Sequence, residues 1–163
     1  MIETHFTLIF FRRNTQILLA MKKRGFGAGK WNGVGGKIEL DETVQQAAIR
    51  ESEEEIGIRP LRLIPVAEHV FHGQHADGDM TAYTYICDKW EGEPIETEEM
   101  APQWFDETEI PYESMWPNDQ YWLPKVLAGE KVFGTYRFDE HDRLLEHTVT
   151  DVAELPHESD MRK

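Results

Sequence analysis

The stretch GKIELDETVQQAAIRESEEEIGI, residues 36–58, carries one strong helix signal and one concentrated set of acids. Asp41 and Thr43 are both candidate N-caps, Val44 to Glu55 contains no Gly or Pro, and Gly57 suits the left-handed residue that closes a helix. At about 100° per residue, Val44, Ala47, Ala48, Glu51 and Glu55 fall on one stripe, with Glu54 on its flank and Glu53 opposite. The stripe begins as a core face and ends as a row of carboxylates.

Carboxylates on an otherwise buried stripe repel one another and lose hydration, which costs several kcal/mol or drives them neutral. A divalent cation removes that conflict. Mg²⁺ takes oxygen ligands and bridges protein carboxylates to substrate phosphates, and Glu51 and Glu55, one helical turn apart, are placed to share it. Arg50 can clamp Glu42 across the preceding loop or meet a phosphate. Acidic helices often only face water. Here the apolar half of the stripe and the entry Gly33-Val34-Gly35-Gly36, where backbone can approach a phosphate or offer a carbonyl, favour a site.

The stretch resembles the Nudix box, Gly-x5-Glu-x7-Arg-Glu-aliphatic-x-Glu-Glu-x-Gly-aliphatic, departing from it only at Ser52. Ser52 lies toward the core side of the helix, so its expected effect is on packing. Outside the box, the segments Met21 to Gly33, Glu99-Met100 with Trp104-Phe105, Met115 to Asp119, and Tyr121-Trp122 resemble the MutT-homologue branch that hydrolyses oxidised purine nucleoside triphosphates. The resemblance runs from about Phe6 to Val152. It implies an α+β fold, the Nudix-type α/β/α sandwich with a mixed central sheet. It implies a metal site of the Gly35 carbonyl with Glu51, Glu54, Glu55 and Glu99, the last approaching from a distant loop. By the same analogy Asn32 and Asp119 read the base. Phe26, Phe71, Met80, Met100 and Trp116 wall the pocket, and Thr7 and Lys22 lie near sugar and phosphates.

Two positions depart from that branch. Asn118 stands where it has the first of two adjacent aspartates, and Gly73 where it has a second pocket aromatic. Paired aspartates can exchange a proton and read guanine-like and adenine-like edges alike. An asparagine amide carries a fixed donor and a fixed acceptor, leaving Asp119 as the titratable reader. The expectation is an enzyme that favours 8-oxo-dGTP over oxidised adenine nucleotides.

The 163 residues fit a single domain, 1–163, with a polar tail after about residue 154 expected to be disordered. Residues are 40% hydrophobic and 29% charged, no apolar run approaches the ~20 needed to span a bilayer, and Met1 to His5 lacks a signal-peptide layout. A cytoplasmic monomer without membrane contact is expected. The lone Cys87 excludes an intrachain disulfide. A net charge of -14 argues against polymeric nucleic acid as a partner, since that affinity depends on basic surface. A free nucleoside triphosphate remains compatible, because Arg12-Arg13 and Lys22-Lys23-Arg24 gather cations near the glycines.

Strands are expected at about 6–11, 16–21, 61–71, 80–90, 103–105, 131–139 and 144–152, with a turn over Gly73 to Asp79 signalled by Asp77-Gly78. A second helix is expected over about 119–128, on the opposite side of the sheet from the box helix, with Pro124 tolerated best in its first turn. Trp104, Phe105 and Trp122 read as core, whereas Trp116, ahead of the rigid Pro117-Asn118-Asp119, reads as a purine-stacking wall. The seven histidines show no ligand spacing and are assigned no catalytic role.

These readings converge on a Mg²⁺-dependent pyrophosphatase, with Mn²⁺ as a substitute, in which water attacks at the α–β bridge to release nucleoside monophosphate and pyrophosphate. One of Glu51, Glu54, Glu55 and Glu99 serves as base, and Arg50 completes the box machinery. The rivals are a Nudix hydrolase acting on a methylated purine triphosphate, a dinucleoside polyphosphate or a nucleotide sugar, and a nucleotide-binding module without turnover.

Overall fold

The computed structural model describes residues 4–75 and 78–163. Alternation in the N-terminal hairpin explains how two helices share one sheet. In β1 (Thr4–Arg13) and β2 (Gln16–Lys22), Ile9, Phe11, Leu18 and Ala20 enter one core, while Phe10, Ile17 and Leu19 enter the other. Successive strand residues point to opposite faces, so a run that is apolar at every position is covered on both.

Among the described residues eight strands form one mixed sheet, in the order β3-β2-β1-β5-β4-β7-β8 with β6 paired to β2. The remaining strands are β3 (Trp31–Asn32), β4 (Arg59–His75), β5 (Gly78–Glu91), β6 (Met100–Asp106), β7 (Lys131–Phe138) and β8 (Leu144–Val152). β1 with β5 and β4 with β7 are parallel, and the other pairs are antiparallel. The expected turn from Gly73 is shorter than read, because β4 runs on to His75 through a bulge at which Gly73 takes φ 66°. Its signal residue Asp77 lies outside the described residues.

Helix α1 (Val44–Ile56) is capped by Thr43, whose hydroxyl accepts the Gln46 N–H while the Gln46 side chain returns to the Thr43 N–H. Such a box contributes about 1 kcal/mol. Gly57, at φ 72°, closes the helix. Ser52 is fully buried and donates to the Ile58 carbonyl at 2.9 Å, so the box's departure secures the helix end with a hydrogen bond. Helix α2 (Asp119–Leu127) packs Trp122, Leu123 and Val126 on the other face, giving the layered sandwich read from the sequence. Pro124 falls beyond the first turn of α2, on its exposed side, where water can satisfy the carbonyl it leaves free.

The tail corrects the sequence reading. Residues 158–161 form a short helix, α3, Leu155 and Met161 are buried in the α1-side core, and the Tyr85 hydroxyl donates to the Met161 carbonyl at 2.7 Å. Glu158 meets Lys131 at 2.8 Å. Two apolar residues among many polar ones are a weak sequence signal, but each fills a core position. Arg12 also departs from its expected role: it forks onto Glu107 at 2.6 and 2.8 Å and reaches the Leu127 carbonyl, while Arg13 lies over the Trp104 ring.

Candidate active site

The glycine-rich loop is held against β1. Thr7 N–H donates to the Gly36 carbonyl at 2.9 Å, and Ile9 and Val34 exchange backbone bonds at 2.6 and 2.9 Å. This approach explains the glycines: a Cβ at Gly35 would stand 1.9 Å from the Thr7 oxygen, and one at Gly36 would stand 2.5 Å from the Glu51 carboxyl carbon. The loop therefore brings backbone directly against the acids of α1.

Two of the four expected metal carboxylates converge. Glu51, the Gly35 backbone and Lys22 all lie close enough to Glu55 to act on its carboxyl. Burial first, and then the Glu51 charge, push the Glu55 carboxyl up to about 8. Its Oε2 is buried without a partner. Glu54 is turned outward toward Arg50 at 3.4 Å, and the Glu99 carboxylate faces Arg24 at 3.5 Å. Among the described residues no three His, Cys, Asp or Glu side chains form a ready metal cluster. The loop bearing Glu99 is nevertheless docked on α1, because the Thr97 hydroxyl donates to the Glu55 carbonyl at 2.7 Å.

Arg50 positions this pair. Its guanidinium forks onto Glu42 at 2.7 and 3.0 Å, donates to Glu51 at 2.8 Å and holds the Lys37 carbonyl at 3.1 Å. These bonds hold Glu42 below the usual carboxylate range and keep Arg50 charged. Of the two roles open to Arg50 in the sequence, the structure has it clamp Glu42.

Beside the acids opens a cavity of about 210 Å³. Thr7, Lys22, Phe26, Asn32, Gly35, Phe71, Met80, Met100, Trp116, Asn118 and Asp119 all line it. Phe26 and Trp116 make one wall, ring centres 5.1 Å apart, with the Lys30 ammonium 5.1 Å from the Trp116 ring. Asn32 Oδ1 accepts the Gly33 N–H at 2.8 Å, which leaves its NH₂ for the cavity. Asp119 Oδ1 accepts from Trp122 Nε1 at 2.9 Å, and its Oδ2 is buried without a partner, so burial raises this carboxyl to about 7. Trp122 is thus both core and cavity lining, whereas Gly73 is not among the lining residues.

Sequence reasoning passed over His69. It is 1% exposed, lines the cavity, and its Nδ1 lies 3.0 Å from the Tyr136 hydroxyl. Full burial lowers its pKa to about 3, so the ring is neutral. Its place in the apolar run of β4 hid it; the only signal was a polar residue inside a strand buried on both faces.

The NUDIX domain model matches residues 1–126, and the chain belongs to that family. An oxidized purine nucleoside triphosphate hydrolase of Danio rerio is 42% identical over 149 residues, covering 91% of this chain and 96% of that protein. The Mus musculus protein of that name is 39% identical, covering 90% and 94%. Among solved structures, a MutT protein from Bacillus halodurans matches with a TM-score of 0.80 over 90% of this chain and 97% of its own, at 22% identity, a likeness of fold. A carboxylate pair on the family's helix beside a walled cavity makes the chain an enzyme of the Nudix hydrolase class.

Proposed function

We propose that the enzyme hydrolyses oxidised purine nucleoside triphosphates, 8-oxo-dGTP foremost, to the nucleoside monophosphate and pyrophosphate, and so cleans the nucleotide pool. One observation carries this reading: buried, unpartnered Asn118 Oδ1 and Asp119 Oδ2 line the same cavity as the Trp116 and Phe26 rings, and that cavity reaches Gly35 and Lys22 beside the Glu51–Glu55 pair. An aromatic wall and buried hydrogen-bonding groups fit a purine; a basic, glycine-lined mouth beside paired acids fits its phosphates. The names of the two close relatives agree with this substrate class.

Nudix hydrolases use divalent metals such as Mg²⁺. The residues present fit one, since Glu55 Oε2 is an orphaned buried oxygen facing a second carboxyl. Glu51 and Glu55, with the Gly35 carbonyl and with Glu54 and Glu99 turning inward, would hold Mg²⁺ or Mn²⁺, which supplies charge neutralisation and a water of lowered pKa. The chain's own residues do the rest. Trp116, backed by Phe26, offers the base an aromatic face, and such stacking is worth ~1–3 kcal/mol per base. Asp119 accepts from the N1–H and N2–H₂ edge, Asn32 donates, and Lys22 meets the phosphates. A glutamate of the cluster takes the proton from water attacking at the α–β bridge. The site is complete within one chain, which supports a monomeric enzyme.

A turnover screen over canonical, oxidised and methylated purine triphosphates, dinucleoside polyphosphates and nucleotide sugars, read by pyrophosphate release with and without Mg²⁺, tests the reading. Preference for 8-oxo-dGTP with Mg²⁺ dependence is expected. Equal turnover of unmodified dGTP would overturn it. Asn118→Asp should raise kcat/KM for 2-hydroxy-dATP relative to 8-oxo-dGTP; an unmoved ratio would remove Asn118 as selector.

A further inference from the structure

The floor of the cavity is tied from β4 to β7, beside the start of α2. His69 of β4 stands opposite Gly134 of β7 in the parallel register, and Tyr136 lies two residues further along β7. The Tyr136 hydroxyl folds back over Gly134, where a Cβ would lie 2.1 Å from it. There the oxygen meets His69 Nδ1 at 3.0 Å, and the Asn118 side chain lies near enough to act on it. All three residues are at least 98% buried, with exposures of 1%, 1% and 2% for His69, Tyr136 and Asn118.

Proton bookkeeping orients the His69–Tyr136 bond. Asn118 Oδ1 has no partner and stands as a bare acceptor. A phenol has one proton. Its hydrogen-bond partner is His69 Nδ1 at 3.0 Å, so a bare Nδ1 is the arrangement that leaves no phenol proton buried and unpaired, and it puts the ring proton on Nε2. Nε2 is itself buried with no partner. The floor therefore presents two acceptors, Asn118 Oδ1 and Asp119 Oδ2, and one donor, His69 Nε2–H.

We infer that His69 is a specificity residue that donates through Nε2–H to the O6 of a guanine-type base, held in that tautomer by Tyr136. The inference rests on the proposed purine substrate and adds a reader to it. The Watson–Crick edge of guanine offers two donors, N1–H and N2–H₂, and one acceptor, O6; this is the complement of two acceptors and one donor. An adenine-type edge puts an amino donor where guanine has O6, so it meets the His69 donor unfavourably. A buried donor left without a partner by the wrong base gives strong discrimination.

Imidazole ¹⁵N spectra of the whole protein at pH 7 should show His69 as the neutral Nε2–H tautomer, and Tyr136→Phe should release it into a mixture. An Nδ1–H tautomer or an imidazolium in the natural protein would overturn the inference. His69→Leu should lower kcat/KM for 8-oxo-dGTP at least ~10-fold, mainly through KM, and that for 2-hydroxy-dATP less than ~3-fold. Tyr136→Phe, which keeps the ring, should move the ratio in the same direction should His69→Leu not fold. Equal losses on both substrates would mark a purely structural role. Affinity for 8-oxo-dGMP without metal separates the two readings: His69-dependent binding without any turnover would defeat the hydrolase proposal and retain the reader, whereas turnover with an unmoved ratio would defeat the reader alone.

Discussion

At the residue scale, the site is two kinds of buried carboxyl with different tasks. Glu55 is crowded by Glu51, and removing charge from either without changing volume should disable metal binding. Glu51→Gln and Glu55→Gln are each expected to lower kcat at least ~10²-fold with the fold intact by circular dichroism, while Glu53→Gln, on an exposed pair with Arg59, changes little. Near-normal turnover in both variants would remove the pair from the mechanism. Asp119 is raised to about 7 by burial alone, with nearby hydrogen bonds pulling the other way. Its ionised form accepts from the base, so KM for 8-oxo-dGTP should climb as pH falls below about 7. The stability effect has the opposite sense. A carboxyl raised in the folded state contributes stability that is full below its unfolded pKa of about 3.9 and is lost as pH rises through the folded value near 7. Asp119→Asn keeps the oxygen that accepts from Trp122 and should raise Tm at pH 8 but not at pH 4. Thermal scans at both pH values check this.

At the element scale, the loop of residues 33–38 is the joint between sheet and helix, and its glycines answer different neighbours. Gly35 is pressed on the Thr7 backbone, which cannot yield, whereas Gly36 is pressed on the end of the Glu51 side chain, which can. Gly36→Ala should keep Tm within a few degrees and lower Mg²⁺-dependent kcat by ~10²-fold, because Glu51 swings away. Gly35→Ala should instead lower Tm strongly by breaking the loop's bonds to β1. Differential scanning calorimetry beside steady-state kinetics distinguishes the two, and equal behaviour would count against this reading of the loop.

At the scale of the whole molecule, the C-terminal segment seals the α1-side core. Chain ended after Glu154 loses buried Leu155 and Met161, the Tyr85 hydrogen bond and the Lys131–Glu158 pair. Two buried apolar side chains at ~1.5–3 kcal/mol each set the expected loss at about 3–6 kcal/mol. Urea unfolding of the shortened chain measures it, and an unchanged midpoint would make the tail dispensable. The segment lies away from the cavity lining, so kcat/KM of the shortened chain at low temperature should be preserved. No helix among the described residues is long and apolar enough to cross a membrane.

The sequence by itself determined what depends on neighbours a few residues apart. The box helix, its Thr43 cap and Gly57 stop, the joint burial of Ala47, Ala48 and Glu55, and most strand positions follow from periodicity and turn chemistry, which are local. Resemblance to the family added the cavity residues, and each of them lines it. Only the tertiary structure decided what depends on register. His69 faces Gly134 because β4 and β7 pair in parallel across 64 intervening positions of chain, and nothing local to either strand marks that meeting. The same holds for Arg12 on Glu107, Tyr85 on the tail, and the two-residue strand at Trp31-Asn32. A buried polar group is costly until a partner is found, and the identity of that partner is set by the pairing of distant strands. That is why the carboxylates could be read from one helix, while the hydrogen-bonded floor that would choose the base could not.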